Sequence, residues 1–165
     1  MMRAYWGLRR GRGRSNLPQL VLVGKKAWLY GETLKAIEEE GVGDSVVLTG
    51  YVSESDLPAL YTGALLFAYP SYYEGFGLPP LEAMRCGTAV LTGDRTSLPE
   101  VVGDAGLTAD PFDTGALRSA LARLIEDPAL RADLGARGLE RAAGFDWRDT
   151  ARMTLQVYRR VTGEK

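Results

Sequence analysis

Apolar residues recur along this chain in two arrangements that alternate. Short runs rich in valine, leucine and aromatic residues are separated by longer segments in which apolar residues return every three or four positions. The short runs predict buried strands, and the longer period predicts amphipathic helices. Because the two kinds of segment alternate, the sequence predicts an α/β fold with an open parallel sheet flanked by helices.

The pattern also gives bounds for these elements. The predicted strands are Leu20 to Val23, Val46 to Thr49, Leu65 to Tyr69, Ala89 to Thr92 and a weaker one near Leu107. The predicted helices between them are Gly31 to Glu40, Leu57 to Gly63 and Pro79 to Cys86, the last ended by a left-handed cap at Gly87. After Pro111 the chain is predicted to be helical, and Trp147 and Tyr158 are predicted to pack along the apolar face of its last helix.

The first 16 residues do not fit this pattern. Arg9 to Asn16 shows no apolar periodicity, which predicts a mobile loop. Its arginines could meet a phosphate or a membrane headgroup, but a short basic run is more often solvated surface. We therefore expect residues 1–16 to form a poorly defined loop and residues 17–165 to form the domain.

Composition narrows the class of protein. With 165 residues, of which 45% are hydrophobic, the chain can bury one core, so we expect a single domain. Its 20 basic and 21 acidic residues nearly cancel, which argues against nucleic acid as a partner. Apolar runs such as Ala64 to Tyr69 are far shorter than the roughly 20 residues of a membrane span, so no span is expected. A single cysteine and the lack of an apolar leader favour the cytoplasm.

Residue types also exclude several kinds of site. The chain has no histidine and one cysteine, Cys86, which excludes zinc sites and histidine acid–base chemistry. The nearest approach to a pair of metal-binding carboxylates is Glu54 and Asp56, which we interpret as the cap of a helix. We therefore expect no metal and no other cofactor.

One glycine-bearing segment is predicted to lie where open α/β sheets bind ligands. The strand ending at Tyr69 is followed by a turn containing Gly75 and Gly77, which runs directly into the next helix. The first amides of a helix lack internal partners and lie at the positive end of its dipole. The amides from Gly75 to Leu78 therefore predict an anion site, which the two glycines let a ligand approach closely.

Two glutamates, Glu74 and Glu82, flank this turn. Glu74 precedes it and Glu82 lies about one turn inside the helix, so both carboxylates are predicted at the same cleft. Carboxylates accept hydrogen bonds from pairs of sugar hydroxyls, and an anion site between two such acceptors fits a nucleoside diphosphate sugar. The alternative is an exposed loop acid at Glu74 and a favourable helix-start charge at Glu82. Spacing alone leaves both interpretations open.

The segment from Pro70 to Gly87 as a whole resembles the hallmark of group 1 glycosyltransferases, in which two glutamates are spaced as E-x7-E. Five other segments resemble the same family in the same order: Leu20 to Lys25, Leu48 to Val52, Leu57 to Tyr61, Ser97 to Val101 and Phe145 to Trp147. The resemblance runs from about Leu17 to Arg160. It implies a retaining transferase of the Rossmann-like GT-B architecture, of which this chain would be the C-terminal, donor-binding half.

The resemblance also implies roles for the residues of the turn. Glu82 would hold the ribose hydroxyls of the donor. Glu74 would be the catalytic carboxylate, and with the amides of Gly75, Phe76 and Gly77 it would hold the donor sugar and its phosphate. A covalent role for Glu74 is the alternative, although retaining hydrolases use two carboxylates for that chemistry.

Further donor contacts are implied elsewhere in the chain. The backbone near Tyr51 and Val52 would meet the base, and Leu78 would pack beside the nucleoside. The expected partner is a nucleotide sugar, a UDP-, GDP- or ADP-hexose, which is a substrate and not a cofactor.

This sequence departs from the family pattern at its start. The family opens this domain with a strand, a glycine-bearing turn and an Arg/Lys pair that neutralises the diphosphate. Arg12 or Arg14 with Asn16 match that segment poorly, and Lys25 is a candidate although it follows a different strand. The N-terminal domain, which would bind the acceptor, has no counterpart in the sequence, so we expect the chain alone to be inactive.

Two other functions fit parts of the sequence. A non-catalytic module that binds a nucleotide or nucleotide sugar would use the same turn. A dinucleotide-dependent oxidoreductase would need a third glycine where Pro80 stands, and its turn would follow the first strand. We therefore favour the transferase and keep the binding module as its alternative.

Overall fold

A computed structural model describes residues 1–12, 17–25, 30–39 and 43–163. The strands in these ranges are β1 (Leu20–Val23), β2 (Val46–Gly50), β3 (Phe67–Tyr69), β4 (Val90–Gly93) and β5 (Leu107–Ala109). The α-helices are α1 (Met2–Arg12), α2 (Tyr30–Glu39), α3 (Leu57–Gly63), α4 (Leu78–Arg85), α5 (Leu98–Val102), α6 (Thr114–Glu126), α7 (Pro128–Ala143) and α8 (Trp147–Thr162). Glu40, predicted to end the second of these helices, lies outside the described residues.

Every strand pair is parallel. β1 pairs with β2, with Leu20 opposite Val46, and β4 lies between β3 and β5, with Leu91 opposite Leu107. The predicted α/β class, parallel strands flanked by helices, is confirmed. The ladders form two groups that share one hydrophobic cluster: Leu91 of β4 belongs to it, and Leu20 of β1 packs against it.

The first helix was not predicted. α1 occupies residues that we expected to form a loop, and Ala4, Tyr5, Trp6 and Leu8 are buried in the main cluster. The prediction of a loop over residues 1–16 is therefore wrong for 1–12, while Arg14 and Asn16 lie outside the described residues. Gly7 lowers helix propensity, but the tertiary packing of α1 against α6 compensates for it.

The last helix differs from its prediction in the opposite way. Its apolar residues lie on one face, but no side chain of α8 is buried. Trp147 is 76% exposed and Tyr158 is 64% exposed, so the prediction that they pack is wrong for this structure. Amphipathic periodicity shows that a helix has an apolar face, but it does not say what covers that face.

Two arginine side chains connect helices α4, α5 and α7. Arg85 of α4 donates to the carbonyls of Ala142 and Phe145 at the end of α7. Arg141 of α7 donates to the carbonyls of Val101 and Glu100 at the end of α5. Each cation meets carbonyls at the negative end of a helix, which stabilises that end. The helices on either side of β4 are thus fixed to each other through α7.

Candidate functional site

The candidate site lies at the carboxyl edge of β3, β4 and β5, where all three strands end on the same side. β3 ends at Tyr69 and β4 ends at Gly93 beside it. A Cβ atom on Gly93 would lie 2.1 Å from the carbonyl oxygen of Ser71. Only glycine therefore lets the chain leaving β3 pass so close to the end of β4.

The turn after β3 leads into α4 through a left-handed residue. Gly77 is the N-cap of α4, with φ of 108°, and a Cβ on it would lie 2.9 Å from Leu98. α4 begins with Leu78, and Pro79 and Pro80 of its first turn have no N–H. In the described part of the chain, the amides of residues 75–78 make no hydrogen bond. These four donors remain available to an anion.

The backbone of Glu74 is held from the neighbouring loop. Its N–H donates to Oγ1 of Thr96 at 3.1 Å, and its carbonyl accepts from Oγ of Ser97 at 3.1 Å. Thr96 has φ of 55°, an unfavourable conformation for a β-branched residue. The loop after β4 therefore adopts a strained conformation while it fixes the start of the turn.

Each glutamate accepts a hydrogen bond from one tyrosine. The hydroxyl of Tyr69 donates to Oε1 of Glu74 at 2.7 Å, and that of Tyr61 donates to Oε2 of Glu82 at 3.0 Å. Burial, followed by the hydrogen bond to Glu74, raises the pKa of Tyr69 to about 12. Burial, followed by the hydrogen bond to Glu82, also raises the pKa of Tyr61. Both tyrosines are therefore protonated donors at neutral pH.

The rings of the two tyrosines are joined by Phe67. The centroid of Phe67 lies 5.2 Å from that of Tyr61 in an edge-to-face contact and 5.9 Å from that of Tyr69 in a stacked contact. Such aromatic pairs favour a fixed relative orientation. A continuous series of contacts thus runs from Glu82 through three rings to Glu74.

Two large apolar side chains, those of Phe76 and Leu78, lie where the turn enters α4. Phe76 packs edge-to-face on Phe145, with ring centroids 6.0 Å apart. Phe145 stands in the segment between α7 and α8, so the closing part of the chain supports the turn. Leu78 is 45% exposed, which leaves its side chain free to contact a ligand.

A second group of predicted residues lies at the carboxyl ends of β1 and β2. The N–H of Gly24 donates to the carbonyl of Gly50 at 3.0 Å, and Lys25 and Tyr51 follow these two glycines. The ammonium of Lys25 lies 4.8 Å from the centroid of the exposed Tyr51 ring. Val52, the next residue, is partly buried.

The predicted residues therefore form two groups. One contains Glu74, Glu82 and the turn between them, and the other contains Lys25, Tyr51 and Val52. No hydrogen bond or ion pair in the described parts of the chain joins the two groups. The side chain of Arg12, one of the poorly matching candidates for the diphosphate, is not described.

Sequence reasoning missed the residues that hold the glutamates. Tyr61, Tyr69, Thr96 and Ser97 all contact Glu74 or Glu82 through hydrogen bonds. One signal was present, since Phe67 and Tyr69 alternate along β3 and so share a face of the sheet. The partners of these side chains depend on tertiary packing, which the pattern does not give.

The acidic pair interpreted as a cap is only partly as predicted. Asp56 occupies the N-cap position of α3, but its side chain accepts from Ser53 at 2.7 Å and caps no helix amide. Within the described ranges, no three acidic or cysteine side chains come together as a candidate metal site. Among the same residues, no helix has the length and apolar composition that crossing a bilayer requires.

Comparison with known sequences gives a family match over most of the chain. A family model described as "Glycosyl transferases group 1" matches residues 13–141. O-antigen chain mannosyltransferase B of Escherichia coli is 44% identical over 141 residues, which are 85% of this chain and 37% of that protein. The chain thus spans well under half the length of this relative.

Comparison with solved structures agrees with the sequence match. Sucrose-phosphate synthase of Thermosynechococcus elongatus superposes with a TM-score of 0.85 and 31% identity, covering 99% of this chain and 43% of that one. HepE of Anabaena, solved in complex with UDP and glucose, superposes with a TM-score of 0.74 and 25% identity, covering 87% of this chain and 40% of that one.

Proposed function

Because the chain belongs to the group 1 glycosyltransferase family, we propose that it is the donor-binding part of a retaining transferase that moves a hexose from a nucleotide sugar to an acceptor. Its fold is that of the C-terminal domain of GT-B glycosyltransferases. The observation that carries the proposal is the turn at the edge of β3, where amides without partners lie between two carboxylates that each accept from a tyrosine hydroxyl.

The diphosphate would bind at the start of α4. The free amides of Gly75 to Leu78 supply hydrogen-bond donors, and the dipole of α4 adds positive potential at the same end. Because Pro79 and Pro80 contribute no N–H, binding depends on the turn itself more than on the first turn of the helix. Lys25 is the candidate cation for the diphosphate, and Tyr51 and Val52 would lie beside the base.

The two glutamates would hold the hydroxyl groups at either end of the donor. Glu82 would accept from the ribose, and Glu74 would accept from the transferred sugar. Oε1 of Glu74 accepts from Tyr69, which leaves both lone pairs of Oε2 for a ligand. This arrangement favours a positioning and electrostatic role for Glu74 over a covalent one. The departing diphosphate would be stabilised by fixed dipoles, and the acceptor would attack from the same face.

A hexose is the sugar class that the relatives support. The E. coli relative is named a mannosyltransferase, and the Anabaena structure contains UDP and glucose. We therefore expect a UDP-, GDP- or ADP-hexose to bind. Thermal-shift screening against these sugars identifies the base, since a ligand that binds only the folded state raises the melting temperature.

Calorimetric titration of two variants tests the assignment of the glutamates. Glu82→Ala should weaken binding of both the nucleoside diphosphate and the nucleotide sugar by about 1 to 3 kcal/mol, the usual value for charged hydrogen bonds. Glu74→Gln should weaken binding of the nucleotide sugar alone. Glu140→Ala, at an exposed position of α7, is the matched control. Unchanged affinity in Glu82→Ala would remove the ribose assignment, and parallel losses in Glu74→Gln would remove the sugar assignment.

A further inference from the structure

The tyrosines that hold the two glutamates come from elements outside the turn. Tyr61 lies on α3 and Tyr69 ends β3, whereas Glu74 lies in the turn and Glu82 lies on α4. Each glutamate is therefore fixed to a second element by a hydrogen bond of ordinary length. Neither tyrosine has a role in the proposed contacts with the donor.

The frame around each tyrosine is itself restrained. The carbonyl of Tyr61 accepts from Oγ1 of the buried Thr88 at 2.7 Å, which fixes the end of α3 to the segment between α4 and β4. Tyr69 pairs with Thr92 in the parallel ladder, and its carbonyl accepts from the N–H of Ser71 at 2.8 Å. With Phe67 between the rings, both hydroxyls are held in place before any ligand arrives.

A glutamate side chain in solvent samples several rotamers, and fixing it on binding costs free energy. A hydroxyl donor that holds one carboxylate oxygen reduces that cost and leaves the other oxygen as an acceptor. The protonated tyrosine donates to one carboxylate oxygen only. The lone pairs of the other oxygen therefore stay available to the ligand hydroxyls.

We propose that Tyr61 and Tyr69 are positioning residues, Tyr61 orienting Glu82 toward the ribose and Tyr69 orienting Glu74 toward the transferred hexose. This inference rests on the proposed function. It assigns each half of the donor to one tyrosine–glutamate pair, so the two tyrosines have separable effects on binding.

Phenylalanine variants test the assignment because they keep the ring packing and remove only the hydroxyl. The probes are UDP with UDP-glucose and GDP with GDP-mannose, titrated calorimetrically. Tyr69→Phe weakens binding of the nucleotide sugar about 3- to 10-fold, the effect of one hydrogen bond, and leaves the nucleoside diphosphate unchanged. Tyr61→Phe weakens binding of the nucleoside diphosphate and of the nucleotide sugar by the same factor. Tyr158→Phe, at an exposed ring of α8, is the matched control and changes neither.

A double-mutant cycle separates positioning from a direct contact. If Tyr69 acts through Glu74, adding Tyr69→Phe to Glu74→Ala causes no further loss of nucleotide-sugar affinity. Additive losses would overturn the inference, and so would wild-type affinity in both phenylalanine variants. Equal losses for both ligands in Tyr69→Phe, together with a lowered melting temperature, would show a purely structural role and would also overturn it.

The same titrations separate this inference from the proposed function. A wild-type chain that binds neither these four probes nor an ADP-hexose would contradict the proposed function and this inference with it. A wild-type chain that binds a nucleotide sugar, with variants that bind it equally well, would contradict the inference alone.

Discussion

At the residue scale, two glycines that look equivalent in the sequence have different roles in the structure. Gly77 has a left-handed backbone and no space for a Cβ atom next to Leu98. A Cβ on Gly75 would meet no atom within 4 Å, and its backbone is not left-handed. The first glycine of the turn is therefore free of internal constraint, and the space beside it is where a ligand would lie.

Alanine substitutions distinguish these two glycines. Gly75→Ala should leave the free energy of unfolding nearly unchanged but weaken nucleotide binding, because the added methyl group enters the ligand space. Gly77→Ala should destabilise the fold by about 1 to 2 kcal/mol for the left-handed conformation alone, with the contact to Leu98 adding to it. Urea denaturation and calorimetric titration of both variants provide the two measurements. Equal stability of the two variants would contradict this assignment.

The raised pKa values of the tyrosines predict a loss of stability at alkaline pH. An unfolded tyrosine loses its proton near pH 10, whereas Tyr69 keeps its proton in the folded chain to about pH 12. Ionisation therefore favours the unfolded state, and the contribution present below pH 10 is lost as the pH rises toward 12. Urea denaturation across this window should show a smaller decrease for Tyr69→Phe than for the wild type. Identical decreases would exclude a contribution from Tyr69.

The sequence predicted the residues of the turn better than their neighbours. Glu74, Glu82 and the glycines stand in a local motif, so their spacing alone placed them on one turn and one helix. Tyr61 is separated from Glu82 in the sequence by β3 and the turn. Their contact exists only because α3 packs beside α4. Contacts of this kind depend on tertiary structure, which the periodicity of a single sequence does not contain.

At the scale of elements, α4 and α7 approach each other through glycines. A Cβ on Gly135 would lie 2.4 Å from the carbonyl oxygen of Gly87, whereas one on Gly138 would lie 3.4 Å from the side chain of Met84. The first distance requires a shift of backbone, and the second is an ordinary contact. α4 carries Glu82, and its first residues belong to the proposed site. A shift of α4 on α7 would therefore also move residues that are proposed to contact the donor.

The two glycines of α7 predict opposite effects of alanine. Gly135→Ala should destabilise the chain by about 1 to 3 kcal/mol, the usual effect of overpacking, because it pushes α7 away from α4. Gly138→Ala should be neutral or stabilising by up to about 1 kcal/mol, since alanine favours the helix. Thermal unfolding followed by circular dichroism measures both changes. Destabilisation of equal size in both variants would show that helix propensity and packing are not separable here.

Element bounds were predictable wherever apolar periodicity and helix signals coincided. α3 spans Leu57–Gly63 as predicted, and Gly87 ends the α4 region with φ of 73°. The prediction missed α1 because Gly7 and the surrounding arginines interrupt the apolar periodicity, whereas tertiary packing stabilises the helix. The same periodicity identified α8 correctly but did not identify its partner.

At the scale of the whole molecule, the chain is expected to bind a donor without transferring it. It spans 37% of the length of its E. coli relative, and we expect transfer to require an opposing wall that positions the acceptor hydroxyl. That orientation can contribute roughly 7 to 11 kcal/mol to a transfer reaction. Donor binding itself should be weak, about −4 to −6 kcal/mol, because the Arg/Lys pair of the family pattern has no close match in the sequence.

Release of nucleoside diphosphate from each nucleotide sugar, with and without acceptors, measures this expectation. Slow hydrolysis of the donor is consistent with it, and fast acceptor-dependent turnover by these residues alone would contradict it. The single-domain organisation and the cytoplasmic location stay predictions.

The bare face of α8 determines how the protein behaves as a sample in solution. Its 16 residues end the fold with a stripe that includes Trp147, Leu155 and Tyr158, all exposed to water. Apolar stripes of this kind attract one another, so the chain should sediment as larger species when concentrated. Removing residues 147–165 should abolish that self-association and leave the melting temperature almost unchanged, since α8 buries no side chain. Analytical ultracentrifugation of both forms over a range of protein concentrations measures whether α8 causes self-association.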